Sequence, residues 1–283
     1  MAREIDHDRN FKELISTFFM EFLELFLPEL AEMVDPDSVT FLQQQYFTDV
    51  LAGEEKIIDL LAEVKMAGED ATFLIHIEPQ STSRSEFPKR MFFYFALLHQ
   101  QYDKNVYPIA IFSYDEPAKA ATNTYKVDFP NLKVLEFNFT AIQLNRLDWR
   151  DYLNRRNPVA AALMSKMRIA ESDRPKVKAE CLRLLVTLKL DPARTRLISK
   201  FVDDYLRLNA KEEQTFQAEI DTMDLEQKEA IMQATTSWEE KGIEKATKAI
   251  ALNMLRKNLD IETIAEVTGL TITQVQVLQS QQE

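Results

Sequence analysis

Apolar side chains recur at helical spacing from residue 10 to residue 27: Phe11, Leu14, Ile15, Phe18, Phe19, Phe22, Leu23 and Phe26. This predicts one amphipathic helix with Asp8 as its N-cap and Pro28 as its stop. After Asp35-Pro36-Asp37, residues 39–46 fit neither the helical nor the strand period. Two strand-like runs follow, 57–66 and 71–80, about a polar bend at Ala67-Gly68-Glu69-Asp70, the pattern of a hairpin. A helix is expected over 86–101 with Phe92, Phe93, Phe95, Ala96 and Leu97 inward, then a buried strand over 107–114 and two more strands over 125–129 and 134–139. From Trp149 onward only helical periodicity remains, over 159–169, 174–189, 191–208 and 211–241, with Pro158, Pro175 and Pro192 near helix starts. Residues 243–282 read as a long helix, a second helix, a tight turn at Gly269 and a last helix. Strands interleaved with helices and followed by helices alone predict an α/β architecture with a boundary near residue 150.

Composition narrows the chemistry by elimination. The chain of 283 residues is 46% hydrophobic, enough for one large core or two smaller ones. The apolar stretches 16–30 and 91–98 are broken by charge or proline, or are too short to cross a bilayer. Charged residues near the start take the place of a signal peptide's apolar segment, so a cytoplasmic protein is expected. A lone cysteine, Cys181, excludes a disulfide framework and a multi-cysteine zinc site, and the three histidines have no ligand spacing. Four isolated glycines cannot build a phosphate-cradling loop, so no nucleotide cofactor is expected. The net charge is −12, yet residues 150–210 carry twice as many basic as acidic side chains. A phosphate-binding surface or an ordinary set of internally paired helix faces would both account for that excess.

The hairpin carries the strongest chemical signal. Folded about its bend, it places Asp59 opposite Glu78, and facing residues on neighbouring antiparallel strands lie about 5 Å apart on one side of the sheet. Two carboxylates in so small a volume repel, and a hard divalent cation with oxygen ligands relieves the repulsion.

The element order, the Asp59 to Glu78 spacing and the triplet Glu78-Pro79-Gln80 together resemble the PD-(D/E)XK nuclease superfamily. More narrowly, the chain resembles the Rpn family of recombination-promoting nucleases, also labelled transposases. The segments that carry the likeness include Tyr46-Phe47-Thr48-Asp49-Val50, Leu74-Ile75-His76-Ile77-Glu78-Pro79-Gln80, Phe87-Pro88-Lys89-Arg90-Met91-Phe92, Gln143-Leu144-Asn145-Arg146-Leu147 and Asn157-Pro158-Val159-Ala160. The resemblance implies a restriction-endonuclease-like α/β core, a mixed central sheet flanked by helices, over residues 1–149. An all-helical region over 150–241 and a helix-turn-helix-like tail over 242–283 follow. It implies hydrolysis of DNA phosphodiesters with little sequence specificity, in recombination or mobile-element biology, by a chain that self-associates as a dimer. Asp59 and Glu78 would ligate magnesium or manganese with the backbone carbonyl of Pro79, and Gln80 would stand where many relatives carry lysine and orient the attacking water.

Other residues compete for roles. Asp49, Glu63 and Lys65 spell a rival register nearer the superfamily formula. Asp8, Lys12 and Glu13 on the first helix, and His76 on the strand of Glu78, are accessory candidates, set against plain capping and surface roles. Arg84, Lys89 and Arg90 are candidates for gripping the DNA backbone, or helix-surface charges. The segment 270–279 has no Lys or Arg, which argues against a DNA-reading helix there and for a structural or oligomerising tail. The competing functional class is a weakened nuclease-fold module that binds nucleic acid or a protein partner without cutting. A strand-transfer transposase is a third reading.

Overall fold

The computed structural model describes residues 6–42, 46–48, 55–57, 60–257 and 259–280, without the side chains of 46–48, 55–57, 234–246, 248 and 280. The chain divides into two compact units, Met1–Asp224 and Leu225–Glu283. The sequence expectation of a boundary near 150 differs from this division, because hydrogen bonds run across residue 150. Asn157 Nδ2 donates to the Glu21 carbonyl (2.8 Å), Asn10 Nδ2 to Asp204 Oδ2 (3.0 Å) and Lys166 Nζ to Asp115 Oδ1 (2.6 Å).

The first unit opens with α1 (His7–Thr17), α2 (Phe19–Phe26) and α3 (Pro28–Glu32). The expected single helix is there as an apolar face, with Phe11, Leu14, Ile15, Phe18, Phe22 and Leu23 all fully buried. Its backbone, however, leaves helical geometry at Phe18, where φ is −127° and ψ is 48°. Asp6, not Asp8, caps α1 by accepting the Arg9 N–H at 3.1 Å. Asp8 instead lies in the first turn, where its charge favours the helix N-terminus. Pro28 opens α3 as well as ending α2, using its missing N–H at the first position.

The strands are β1 (Thr40–Phe41), β2 (Tyr46–Thr48), β3 (Glu55–Ile57), β4 (Leu60–Lys65) and β5 (Thr72–Gln80) before helix α4 (Phe87–Tyr102). Strands β6 (Val106–Phe112), β7 (Thr124–Phe129), β8 (Leu132–Asn138) and β9 (Thr140–Gln143) come after it. The main sheet has the order β1-β4-β5-β6-β9, with β2-β3 and β7-β8 as separate two-stranded ribbons. Strand β4 runs antiparallel to both β1 and β5, whereas β6 lies parallel to β5 and β9 parallel to β6. The sheet is therefore mixed, and α4 is the connection that a parallel β5 to β6 step requires. Gly68, with φ +78°, makes the β4 to β5 bend in the left-handed region.

Central position explains the composition of β5. With partners on both edges, eight of its nine residues are buried. Ring contact between His76 and Tyr94 (5.6 Å between centroids) and the cluster of Leu61, Leu74, Tyr94, Leu98 and Val106 show that the even-numbered residues of β5 face α4. Helix α4 is apolar around much of its circumference, and the expected inward set is revised. Phe87, Met91, Tyr94 and Leu98 are buried, Phe92 and Phe95 lean on Tyr125 and Phe137 of the β7-β8 ribbon, and Phe93 and Leu97 are exposed.

The remaining helices of this unit are α5 (Pro158–Leu163), α6 (Arg174–Thr187), α7 (Pro192–Tyr205) and α8 (Ala210–Asp221). The expected helix over 211–241 is interrupted after Asp221. Many of the basic side chains in 150–210 are held in internal pairs: Arg150 with Asp173, Arg174 with Glu212, Lys178 with Asp203, Arg183 with Glu180 and Lys200 with Asp204.

The second unit consists of α9 (Leu225–Arg256), α10 (Ile261–Thr268) and α11 (Ile272–Ser280) around Ala251, Ile264, Val275 and Leu278. Asp260 caps α10 by accepting from Thr263 N at 2.8 Å, and Gly269 ends it at φ +72° with its N–H on the Ala265 carbonyl (2.9 Å). A Cβ at Gly269 would meet no atom within 4 Å, so the backbone angle alone resists substitution. Gly269→Ala is expected to cost about 1 kcal/mol, read as an earlier urea midpoint for this unit with no change in slope.

Candidate active site at the ends of the parallel strands

The candidate site lies at the C-terminal ends of β5 and β6, the side of a parallel sheet where loops leave room for ligands. Strand alternation puts Leu74, His76, Glu78 and Gln80 on one face, and α4 lies over it. Glu78 is only 3% exposed. A buried carboxylate demands a cation or several donors, and the partner comes from the first turn of α4. Arg90 Nη2 donates to Glu78 Oε1 at 3.0 Å and to Gln80 Oε1 at 2.6 Å. The guanidinium carbon also lies 5.0 Å from the Phe87 ring centre and 5.9 Å from that of Tyr94, so two aromatic faces hold it in place.

Gln80 is committed at both ends of its amide. Its oxygen accepts from Arg90, and Nε2 donates to Thr82 Oγ1 (3.2 Å), which also accepts from Arg84 Nε at 3.3 Å. The expectation that Gln80 orients a water is thus met here by an amide already engaged. Next to it Ser113 N donates to the Gln80 carbonyl (3.0 Å), and burial pushes the Tyr114 phenol above its ordinary range, partly offset by its bond with Ser83.

Unpartnered polar atoms remain. Glu78 Oε2, Arg90 Nε and both ring nitrogens of His76 are buried without a hydrogen-bond partner among the described residues. His76 Nε2 stands 3.4 Å from Glu78 Oε2, close enough for electrostatic contact but not aligned as a hydrogen bond. Such groups are costly in a dry interior.

The other sequence candidates are dispersed. Asp59 and Asp49 lie outside the described residues. The β4-β5 pairs, from Leu60↔Ile77 to Lys65↔Thr72, have the register assumed when Asp59 was placed opposite Glu78. Glu63 shares the face of Glu78 but sits opposite Leu74, four residues and about 13 Å along the strand. It pairs with Lys104 at 2.7 Å. Lys65 is exposed, so the described members of the rival register form no site. Asp8 and Glu13 are exposed, Lys12 is half-buried, and no described contact joins them to Glu78. Lys89 and Arg84 are exposed. Arg90 is the surprise, since it points into the site and not along a helix surface.

One carboxylate oxygen is free of hydrogen bonds, and backbone bonds from Leu74 N to Asn105 O and from Ser113 N to Gln80 O turn the even residues toward β6. By that alternation the Pro79 carbonyl points to the β4 side. Magnesium needs only one or two carboxylates and keeps several waters, which fits a set this sparse. Among the described residues no three His, Cys, Asp or Glu side chains cluster in a way that would hold a metal. Compared with known proteins, the chain matches no family model, no curated protein and no solved structure.

The ion pair itself is open to measurement. Glu78 is nearly inaccessible and its partner's side chain is 23% exposed, so removing either charge strands the other. Unfolding in urea of Glu78→Gln, Arg90→Gln and the double variant is expected to give a coupling of about 2 kcal/mol. Additive losses would deny the interaction.

Proposed function

We propose that the chain is a metal-dependent DNA endonuclease of the PD-(D/E)XK type, with Glu78 as its central carboxylate. The observation that carries this reading is a nearly inaccessible glutamate on the central strand, at the open end of the parallel pair, with one oxygen held by Arg90 and the other without a partner. The sheet order, mixed with antiparallel β4-β5 and parallel β5-β6, is the arrangement that the sequence resemblance implies. Glu78, the Pro79 carbonyl and Asp59 would hold magnesium or manganese. When bound, the ion lowers the pKa of a water and offsets phosphate charge. The protein's own contribution is positional. The ladder with β6 fixes the Glu78 backbone, Arg90 fixes its carboxylate, and Thr82 fixes Gln80. The surrounding aromatic and aliphatic side chains keep water away from the face behind Glu78, which strengthens its attraction for a cation. Partners are DNA and a second copy of the chain, with low sequence specificity and a place in recombination or mobile-element biology.

The same ion pair favours a second reading: a site neutralised from within, on a module that binds nucleic acid or a protein partner without cutting. Supercoiled plasmid incubated with magnesium separates the two. Nicked and linear products that vanish with EDTA, and fall at least about 100-fold in Glu78→Ala and Asp59→Ala, support the endonuclease. Traces of cutting equal in wild type and both variants sink it, and joined products point to strand transfer.

A further inference from the structure

We infer that Arg90 is the site's fixed cation, taking the anionic phosphodiester of the substrate while positioning Glu78 and Gln80. This rests on the endonuclease reading above and adds to it a residue from outside the strand motif. The position two residues after Glu78 is a neutral amide, so β5 itself supplies no positive charge there. Arg90 delivers one from α4, where the next turn of the chain folds back over the strand. One nitrogen, Nη2, spans Glu78 Oε1 and Gln80 Oε1, and that leaves Nε–H buried and unpartnered. The buried Nε is not the donor an anion meets; a guanidinium held at Nη2 and partly open to solvent presents its planar fork to a tetrahedral oxyanion from the exposed side. The Phe87 and Tyr94 rings restrict its swing, so its charge stays beside Glu78 through the reaction. Solvent reaches part of the side chain, which is 23% exposed, so an anion has access to it. The bonds that Thr82 Oγ1 accepts from Gln80 Nε2 and from Arg84 Nε continue the same polar row to the surface.

A cation that neighbours Glu78 makes two demands that a mere structural prop does not. It opposes a divalent ion at the free oxygen, and it stabilises charge on the substrate. Calorimetric titration with Mn2+ alone reads the first, on the full chain without DNA. R90A is expected to bind Mn2+ about tenfold more tightly than wild type. Cleavage kinetics read the second, with kcat falling about 100-fold in R90A and about tenfold in R90K, which keeps charge but not the planar fork. Methylguanidine added to R90A is expected to restore part of the lost rate. Thermal melting establishes that each variant is folded. If R90A does not melt cooperatively, R90K against R90Q carries the comparison, with R90K the faster by about tenfold. R90A cutting at the wild-type rate, or R90K no faster than R90Q, overturns Arg90's role while the endonuclease stands. Weaker Mn2+ binding in R90A with no recovery by methylguanidine also overturns it, since that is the behaviour of a prop. A wild-type chain that neither binds Mn2+ nor cuts overturns the endonuclease reading, and this inference with it.

Discussion

A carboxylate in the middle of a sheet is the constraint around which the first unit is organised. Strand β5 has hydrogen-bonded neighbours on both edges and a helix over the face that carries Glu78. Its residues are therefore aliphatic or aromatic wherever packing alone decides. Glu78 breaks that rule, and a negative charge in such a place needs a positive one within reach. Arg90 fulfils that need, and its position requires α4 to start close to the end of β5. The short loop from Ser81 to Glu86 and the parallel return through β6 are the topological form of the same requirement.

Burying an ion pair is a poor way to gain stability, because desolvation offsets most of the attraction. An aliphatic pair would fill the volume at lower cost. Unpartnered atoms on Glu78, Arg90 and His76 add to that cost. Keeping all three in one small region costs stability and concentrates charge and unpaired polar atoms beside Glu78. Among the described residues of the second unit, Ala251, Ile264, Val275 and Leu278 make an apolar core.

Charge in the helical region shows why local counts mislead. Residues 150–210 are basic by sequence, yet part of the excess meets acids from outside that stretch, such as Glu212 for Arg174 and Asp115 for Lys166. Asp115 follows β6 and Lys166 follows α5, fifty-one residues apart. No window along the chain reports such a pair.

What the amino-acid pattern determined by itself is local. Alternation and the Ala67-Gly68-Glu69-Asp70 bend specified the β4-β5 hairpin and its register, since a slip of one residue would set each side chain opposite one from the other face. The Pro-marked helix starts and the left-handed turn at Gly269 were equally legible, because proline fixes φ and glycine reaches positive φ without steric cost, regardless of context. Three things only the tertiary structure decided. The kink at Phe18 has no proline or glycine to announce it. The inward face of α4 is ambiguous in a run as apolar as residues 91–98, and a sheet on one side with a ribbon on another chose it. Arg90 follows from that choice: helix phase turned it toward Glu78 and left its neighbour Lys89 in solvent, and phase is set by what packs against a helix, not by its own sequence.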